Sequence, residues 1–305
     1  RDYTPDEVRG YTEDIARYLV PVFKAAAESG KIYDYDYYLA DEEDMMAYLE
    51  NIAENMGGEV KDALEFMTEY NLYDISASPQ KREISFQTYI KDYESPYLFI
   101  NPTGYSNDLF TVSHEFGHYT DAFANYNADT AETFSQGLEY LGVIYNSLGD
   151  SKAKEDIKKA KMADSLMIFI EQASLNEFEE RVYSLPEEDL TVENINEIYC
   201  QVTKDFGYYV PEYDEYYRES WIDITHLFEY PYYVASYVVS NDAAMQIYEL
   251  ETASSGDGAG AYESLLDRNP DESFLKVLEG AGMKSPFDGG RVKELADIFK
   301  EFYGV

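Results

Sequence analysis

Two of the three histidines in this chain lie four residues apart, with a glutamate directly after the first. In a helix, residues i and i+4 share a face, so His114 and His118 would project side by side. Two imidazole groups placed in this way can bind one metal ion through their ring nitrogens. Glu115 would point about 100° away from His114, where it could take a proton from water at the ion. The motif HEFGH (114–118) therefore predicts a metal site with an adjacent general base.

The residues around this motif predict that its helix is buried. Phe110, Val112, Phe116 and Phe123 flank it with apolar side chains. Gly117 lies inside the predicted helix, where glycine costs about 1 kcal/mol relative to alanine. We therefore expect another part of the chain to approach the helix closely at this position.

A third ligand is expected, because catalytic zinc takes three protein ligands and leaves a fourth position for water. No third histidine lies nearby, which favours a carboxylate from the segment TAETFSQGLEYLG (130–142). Glu132 and Glu139 are seven residues apart, nearly two helical turns, and would face the same way. From the residues alone, either glutamate could bind the metal while the other orients a ligand histidine.

The two motifs together resemble those of the oligoendopeptidase F and thimet oligopeptidase group of zinc metallopeptidases. The resemblance rests on HEFGH (114–118) followed by AETFSQGLE (131–139), and it extends over roughly residues 60–300. It implies that Glu132 is the third ligand of one Zn²⁺ per chain. It also implies that Glu139 orients a ligand histidine without binding the metal itself. It also implies a mainly α, zincin-like (thermolysin-type) catalytic domain.

Some features depart from that family. Three residues after the HEFGH motif, where the family commonly has a further histidine, this chain has Asp121, and the connection from His118 to Glu132 is short. Full family members carry additional N-terminal helices that close a channel over the zinc. This chain begins with Arg1 rather than methionine, so we expect a cut N-terminus. It would be either an excised fragment or a short form with an open cleft, and an open cleft would relax a restriction to short peptides.

The third histidine lies in an aromatic segment, WIDITHLFEYPYYVASYVVS (221–240). A peptidase that attacks a carbonyl with water must stabilise an oxyanion, and a neutral histidine or a tyrosine hydroxyl can donate to it. The segment is similar to the oligoendopeptidase F pattern of a histidine, a proline five residues later and then tyrosines. The similarity implies that His226 and one or both of Tyr233 and Tyr237 contact the substrate or the tetrahedral intermediate.

The rest of the sequence predicts a mainly α fold with a small β-sheet just before the active-site helix. We expect one domain over 1–305, which divides into a helical lead-in (1–80), the sheet (81–104), the zinc-site helices (105–146) and a helical remainder (147–305). The strands are predicted at 82–90, from its period of two, and at 93–101. Helices are predicted at 5–28, 41–56, 59–71, 106–124, from a cap at Asp129 or Thr130 to 146, 151–184, 191–205, 215–227, 232–253 and 290–303, with glycine-rich loops at 254–260 and 279–290.

The amino-acid composition limits the kinds of molecule that this protein is expected to bind. The net charge is −38, with 61 acidic residues against 23 basic ones, and such a surface repels phosphate, so no nucleic-acid partner is expected. No apolar run is long enough to predict a membrane span. The single Cys200 excludes a disulfide within the chain. The family resemblance slightly favours the cytoplasm, an exported form is compatible with the sequence, and the oligomeric state is not predicted.

The favoured function is a zinc-dependent endopeptidase that cuts oligopeptides or unstructured segments. Glu115 would take the proton from water and later pass it to the leaving amine. One alternative is a zinc carboxypeptidase, for which Arg181 and Arg218 are the candidates to bind a terminal carboxylate. The other is a non-catalytic zinc- and peptide-binding module, which would bind peptides and cleave none.

Overall fold

The computed structural model describes residues 1–82, 84–122 and 127–305. Helices dominate these residues, and we number them in chain order as α1 Pro5–Glu28, α2 Glu42–Met56, α3 Gly58–Glu69, α4 Asn107–Asp121, α5 Ala128–Tyr145, α6 Ser151–Tyr183, α7 Val192–Phe206, α8 Asp214–Glu219, α9 His226–Glu229, α10 Val234–Ala253, α11 Asp257–Leu266, α12 Phe274–Gly280 and α13 Arg291–Tyr303. The strands of the described residues are β1 Tyr73–Asp74, β2 Phe86–Ile90 and β3 Ser95–Phe99.

Side chains just before the helices explain where several of them begin. Thr4 caps α1, because its hydroxyl accepts the N–H of Glu7 while the carboxylate of Glu7 accepts the N–H of Thr4. Asp41 caps α2 in the same reciprocal way with Asp44. These caps satisfy backbone donors that have no partner within the helix.

The sheet packs against the motif helix α4. Its order is β1-β3-β2, with β1 parallel and β2 antiparallel to β3. β2 is therefore an edge strand. Its residue Gln87 reaches α4, where its N–H donates to the carboxylate of Glu115 over 2.8 Å.

Helix α5 runs through the middle of the molecule. Every residue from Asp129 to Gly142 is buried, because α4 and α10 both pack closely along it. The side of α5 that faces α4 and α2 belongs to one apolar cluster, which includes Phe134 and Leu138. A second cluster joins α1, α6, α7 and α13 and contains Tyr140. The site helices are thus fixed by packing on several sides.

The sequence-based fold class is confirmed, since the described chain is mainly helical and its small sheet precedes α4. β1 was not predicted, because two residues show no periodicity, and it lies inside the expected helical lead-in. The end of the predicted helix 106–124 lies outside the described residues. None of the helices that the structure describes has the length and apolar character to cross a bilayer.

Three local predictions were wrong. The helix at 215–227 is broken into α8, a 3-10 turn and α9, and none of these short pieces has a buried face. Trp221 instead turns toward α7 and donates to Asn196 over 2.8 Å. The stretch 254–260 is not all loop, because α11 begins within it. The cap of α5 is Asn127 rather than Asp129 or Thr130, because its side-chain oxygen accepts both of their N–H groups.

Candidate active site

Side chains of α4 and α5 meet at a group of three potential metal ligands. His114 and His118 project from consecutive turns of α4, and their ring centroids are 4.9 Å apart. Oε2 of Glu132 lies 3.6 Å from Nε2 of His114 and 3.7 Å from Nε2 of His118. One ligand atom from each residue lies within 4.8 Å of the others. Ligands of a tetrahedral Zn²⁺ are about 3.4 Å apart, so this donor set fits such an ion.

Gly117 allows the two helices to approach this closely. A Cβ atom at this position would lie 2.5 Å from the carbonyl oxygen of Phe134 and 2.5 Å from the Cα of Ser135. Any larger residue would push α5 away from α4. The expected close approach at Gly117 is therefore present, and the approaching element is the helix that carries Glu132.

The Glu132 carboxylate is held on both oxygens. Ser135, one turn further along α5, donates to Oε2 over 3.0 Å, and Tyr233 donates to Oε1 over 3.2 Å. Burial raises the pKa of Glu132, while the charge of His114 and these two hydrogen bonds act in the opposite direction. The hydroxyl of Tyr233 leaves Oε2 as the oxygen that faces both histidines.

A buried chain of hydrogen-bonded, charged side chains lies behind His114. Nδ1 of His114 is 2.7 Å from Oε1 of Glu139, and Oε2 of Glu139 is 2.5 Å from Nζ of Lys161. Lys161 also donates to Asp164 over 2.8 Å. Burial would raise the pKa of Glu139, but Lys161 and His114 outweigh it and the pKa is lowered. An ionised Glu139 accepts a hydrogen bond from Nδ1–H of His114, which leaves Nε2 of His114 to face Glu132.

The two histidines have opposite electrostatic surroundings. Burial opposes a charge on His114, yet the hydrogen bond and the charge of Glu139 raise its pKa to about 9. Burial and the neighbouring charge of His114 lower the pKa of His118 to about 3. The carboxylates of Glu139 and Glu132, which favour a proton on His114, would also stabilise a metal cation bound between the two histidines.

Glu115 points to the sheet side of the site. Its carboxylate accepts the N–H of Gln87 on the edge strand, which fixes its direction. Burial raises the pKa of Glu115, against the charge of His114 and the Gln87 hydrogen bond. A carboxylate with a raised pKa accepts a proton more readily at neutral pH, as a general base must.

The third histidine joins the site through an aromatic cluster. The rings of His226 and Tyr233 stack with centroids 4.9 Å apart, and Tyr237 lies edge-on, 5.8 Å from His226 and 5.4 Å from Tyr233. Tyr233 connects this cluster to Glu132. Burial lowers the pKa of His226, so its imidazole is neutral at pH 7.

Cavities open on both sides of the three ligands. One of about 350 Å³ is lined by His114, Glu115 and Tyr237, among others. Another of about 350 Å³ is lined by His118, Glu132 and Tyr233. Together, the two cavities contact all three candidate ligands, and Glu115 lines the first while Tyr233 lines the second.

Other residues considered in the sequence have different partners. Asp121 pairs with the buried Arg268, with 2.5 Å between Oδ1 and Nη2. Arg181 pairs with Glu177 and Asp205. Arg218 is bound to Asp214 at 2.8 Å. Among the described residues that line the two cavities beside the ligands, neither Arg181 nor Arg218 appears. The described residues that line these two cavities include no arginine or lysine to bind a terminal carboxylate.

Sequence reasoning missed three contributors to the site. Gln87 acts through its backbone, which no residue type reveals. Ser135 lies three residues after Glu132, and that helical spacing could have indicated it. Lys161 is 1% exposed in a helix whose neighbouring positions are apolar. A lysine on a buried helix face implies a carboxylate partner, but the sequence does not say which one.

Residues 56–297 match the sequence model of Peptidase family M3. Oligopeptidase PepF of Bacillus subtilis (strain 168) is 27% identical over 211 residues, which cover 63% of this chain and 31% of PepF. A solved complex of PZ peptidase A with an inhibitor has a TM-score of 0.85 at 19% identity, covering 100% of this chain and 59% of that chain. Oligoendopeptidase F from Enterococcus faecium has a TM-score of 0.61 at 17% identity. The match covers 99% of this chain and 52% of that chain.

This chain therefore spans about a third of the length of PepF and a little over half of each solved chain. The two structures show that the fold is shared. The family match includes the HEFGH motif and both glutamates of α5. It covers most of the chain and confirms the resemblance seen in the sequence. The chain belongs to Peptidase family M3, a family of metallopeptidases.

Proposed function

We propose that this chain is the catalytic part of a zinc-dependent endopeptidase that hydrolyses oligopeptides or unstructured segments. The observation that carries the proposal is the convergence of two imidazole nitrogens and one carboxylate oxygen within 4.8 Å. His114, His118 and Glu132 would hold one Zn²⁺. When bound, the ion supplies a Lewis acid that polarises a carbonyl group and lowers the pKa of water.

The protein side chains then divide the proton chemistry. Glu115 takes a proton from the attacking water and holds it on a carboxyl group whose pKa burial has raised. It passes that proton to the amine that leaves when the peptide bond breaks. The Gln87 N–H keeps the carboxylate aimed at the site through both steps.

The aromatic cluster would stabilise the negative oxygen that develops on the carbonyl. Neutral His226 and the hydroxyls of Tyr233 and Tyr237 are hydrogen-bond donors that lie beside the ligands. Donors held close to the site can stabilise the charge as it develops. The hydroxyl of Tyr233 would first have to turn away from the Glu132 carboxylate. Glu139 and Lys161 would act through His114 by fixing its ring orientation.

The position of the cavities favours cleavage inside a peptide. Space lies on both sides of the ligands, so substrate residues can extend in both directions from the cleaved bond. Both arginines proposed for a carboxypeptidase are engaged in ion pairs. The endopeptidase is therefore the function that the site supports best.

The test combines metal content with peptide cleavage. We expect one zinc per chain in the wild type and in Glu115→Gln, and loss of zinc in His118→Ala, measured by mass spectrometry of the metal. Cleavage of an internally quenched peptide should fall by about 10²–10⁴-fold in Glu115→Gln. Glu155→Gln, an exposed charge-matched change on α6, should cleave as the wild type does. Full activity in Glu115→Gln would remove the proposed base.

A further inference from the structure

A separate cavity of about 530 Å³ lies beyond the His226 cluster. Its walls are largely aromatic, with Tyr199, Tyr208, Tyr216 and Tyr217 among them. Gln172 and Tyr237 line both this cavity and the one that contains His114 and Glu115. A group that enters the aromatic cavity therefore lies directly beside the proposed path of the peptide.

This cavity holds one carboxylate, on Glu171 of α6. Among its described lining residues, Glu171 is the sole acid, and there is no lysine or arginine. Within the part of the chain that the structure describes, the Glu171 carboxylate makes no hydrogen bond or ion pair. The protein atoms around it raise its pKa, and the charge of Asp164, two turns earlier on α6, raises it further. The residue is exposed to solvent, so a cation that enters the cavity can reach its carboxylate.

The aromatic walls are held in place by their own hydroxyl groups. The hydroxyl of Tyr208 is 2.7 Å from Oγ of Ser174, and Tyr217 donates to the carbonyl oxygen of Tyr208 over 3.0 Å. The rings of Tyr216 and Tyr217 are 5.8 Å apart. These walls are therefore preorganised, which lowers the entropic cost of binding a guest.

Aromatic walls with a carboxylate favour a cation over a neutral or acidic group. The faces of tyrosine rings attract ammonium and guanidinium groups, and a carboxylate binds guanidinium with two parallel hydrogen bonds. The charge of Glu171 acts on these rings. Burial of Tyr217 raises the pKa of its hydroxyl most, and the charge of Glu171 raises it further. The net charge of −38 adds long-range attraction for a basic ligand.

We propose that the cavity is a substrate subsite for the basic side chain of an arginine or lysine, with Glu171 as the specificity-determining residue. This inference rests on the proposed peptidase function and adds a substrate class to it: peptides with a basic residue near the cleaved bond. The path through Gln172 and Tyr237 connects the subsite to the proposed general base.

The test uses acetylated, internally quenched peptides in which arginine or citrulline occupies each position around the cleaved bond in turn. Citrulline has the same shape as arginine and lacks its charge. At one position, we expect the wild type to prefer arginine by about tenfold or more in kcat/KM. Glu171→Gln should bring that ratio near one, whereas Glu155→Gln should keep it. An equal rate for both peptides at every position, or an undiminished ratio in Glu171→Gln, would overturn the subsite.

Binding separates this inference from the peptidase proposal. In the Glu115→Gln background, the labelled arginine peptide should bind about tenfold more tightly than the citrulline peptide, by fluorescence anisotropy. Adding Glu171→Gln should abolish the difference. If the wild type cleaves no peptide, the proposed function fails, and equal affinities then overturn the subsite independently. A preference that appears only with a free N-terminus would assign the cavity to a terminal amine and also contradict the proposal.

Discussion

Lys161 and Glu139 form a buried ion pair behind the candidate metal site, with 2.5 Å between Nζ and Oε2. Lys161 is 1% exposed and Glu139 is 6% exposed. The other carboxylate oxygen of Glu139 contacts His114. The orientation of a candidate ligand on α4 therefore depends on a lysine of α6, a helix that provides no ligand itself.

The first prediction concerns the stability of this pair. Lys161→Met should destabilise the protein by about 3–5 kcal/mol, because it removes the lysine partner of the buried Glu139 charge and leaves only His114 beside it. Urea unfolding measures the change. Lys161→Met with Glu139→Gln should be more stable than the single variant, since both charges are then removed.

A surface lysine provides the control for this experiment. Lys293 pairs with Asp297 on α13 and is 61% exposed, so Lys293→Met should cost less than about 1 kcal/mol. Equal stabilities for the Lys161 and Lys293 variants would show that the buried ion pair contributes no more to the free energy of unfolding than the exposed one.

The second prediction concerns Gly117. Gly117→Ala should lose metal and about 1–3 kcal/mol of stability, because the added methyl group separates α5 from α4. Gly10→Ala is the matched control, since Gly10 lies in α1 with no heavy atom within 4 Å of the added carbon. It should gain up to about 1 kcal/mol from helix propensity. Normal zinc content in Gly117→Ala would mean that the helices tolerate the extra distance.

Much of the site could be predicted because helical geometry fixes it locally. A spacing of four residues places His114 and His118 on one face, and a spacing of seven does the same for Glu132 and Glu139. The sequence alone did not decide which glutamate faces the metal. That depends on how α5 lies against α4, and the family resemblance supplied the expectation.

The remaining features depend on partners distant in the sequence. Lys161 and Gln87 reach the site only after the helices and the sheet have packed, so no local pattern reveals them. The segment 215–227 has helix-forming residues but no periodic buried face, and its aromatic side chains pack separately. At 254–260, glycine suggested a loop, whereas Gly258 lies inside α11. Glycine is needed there because a Cβ would clash with the carbonyl oxygen of Ile247 on α10.

The third prediction separates two roles for Tyr233. If its hydroxyl stabilises the oxyanion, Tyr233→Phe should lower kcat by about 10²-fold. Zinc content should not change, because Ser135 still holds the Glu132 carboxylate. Tyr230→Phe, an exposed residue of the same segment, should cleave peptides at the wild-type rate. Loss of zinc in Tyr233→Phe would instead assign the hydroxyl to positioning Glu132.

The fourth prediction concerns how the stability of the fold depends on pH, through a glutamate far from the site. Glu251 at the end of α10 accepts the N–H groups of Gly256 and Ala259 over 2.8 Å and 3.1 Å. Burial acts to raise its pKa, but these donors outweigh it and the pKa is lowered from 4.5. A carboxyl group whose pKa is lower in the folded state stabilises that state above the unfolded pKa. The stabilisation disappears as the pH falls through the folded pKa.

Glu251→Gln should therefore be less stable than the wild type at pH 7 by about 1.5–3 kcal/mol, the range for hydrogen bonds to a charged group. The difference should shrink as the pH falls below 4.5, the unfolded pKa, because the wild-type carboxyl group then takes up its proton. Urea unfolding of both proteins across this pH range measures the difference. A gap that stays constant with pH would mean that the hydrogen bonds, and not the charge, hold the start of α11 to α10.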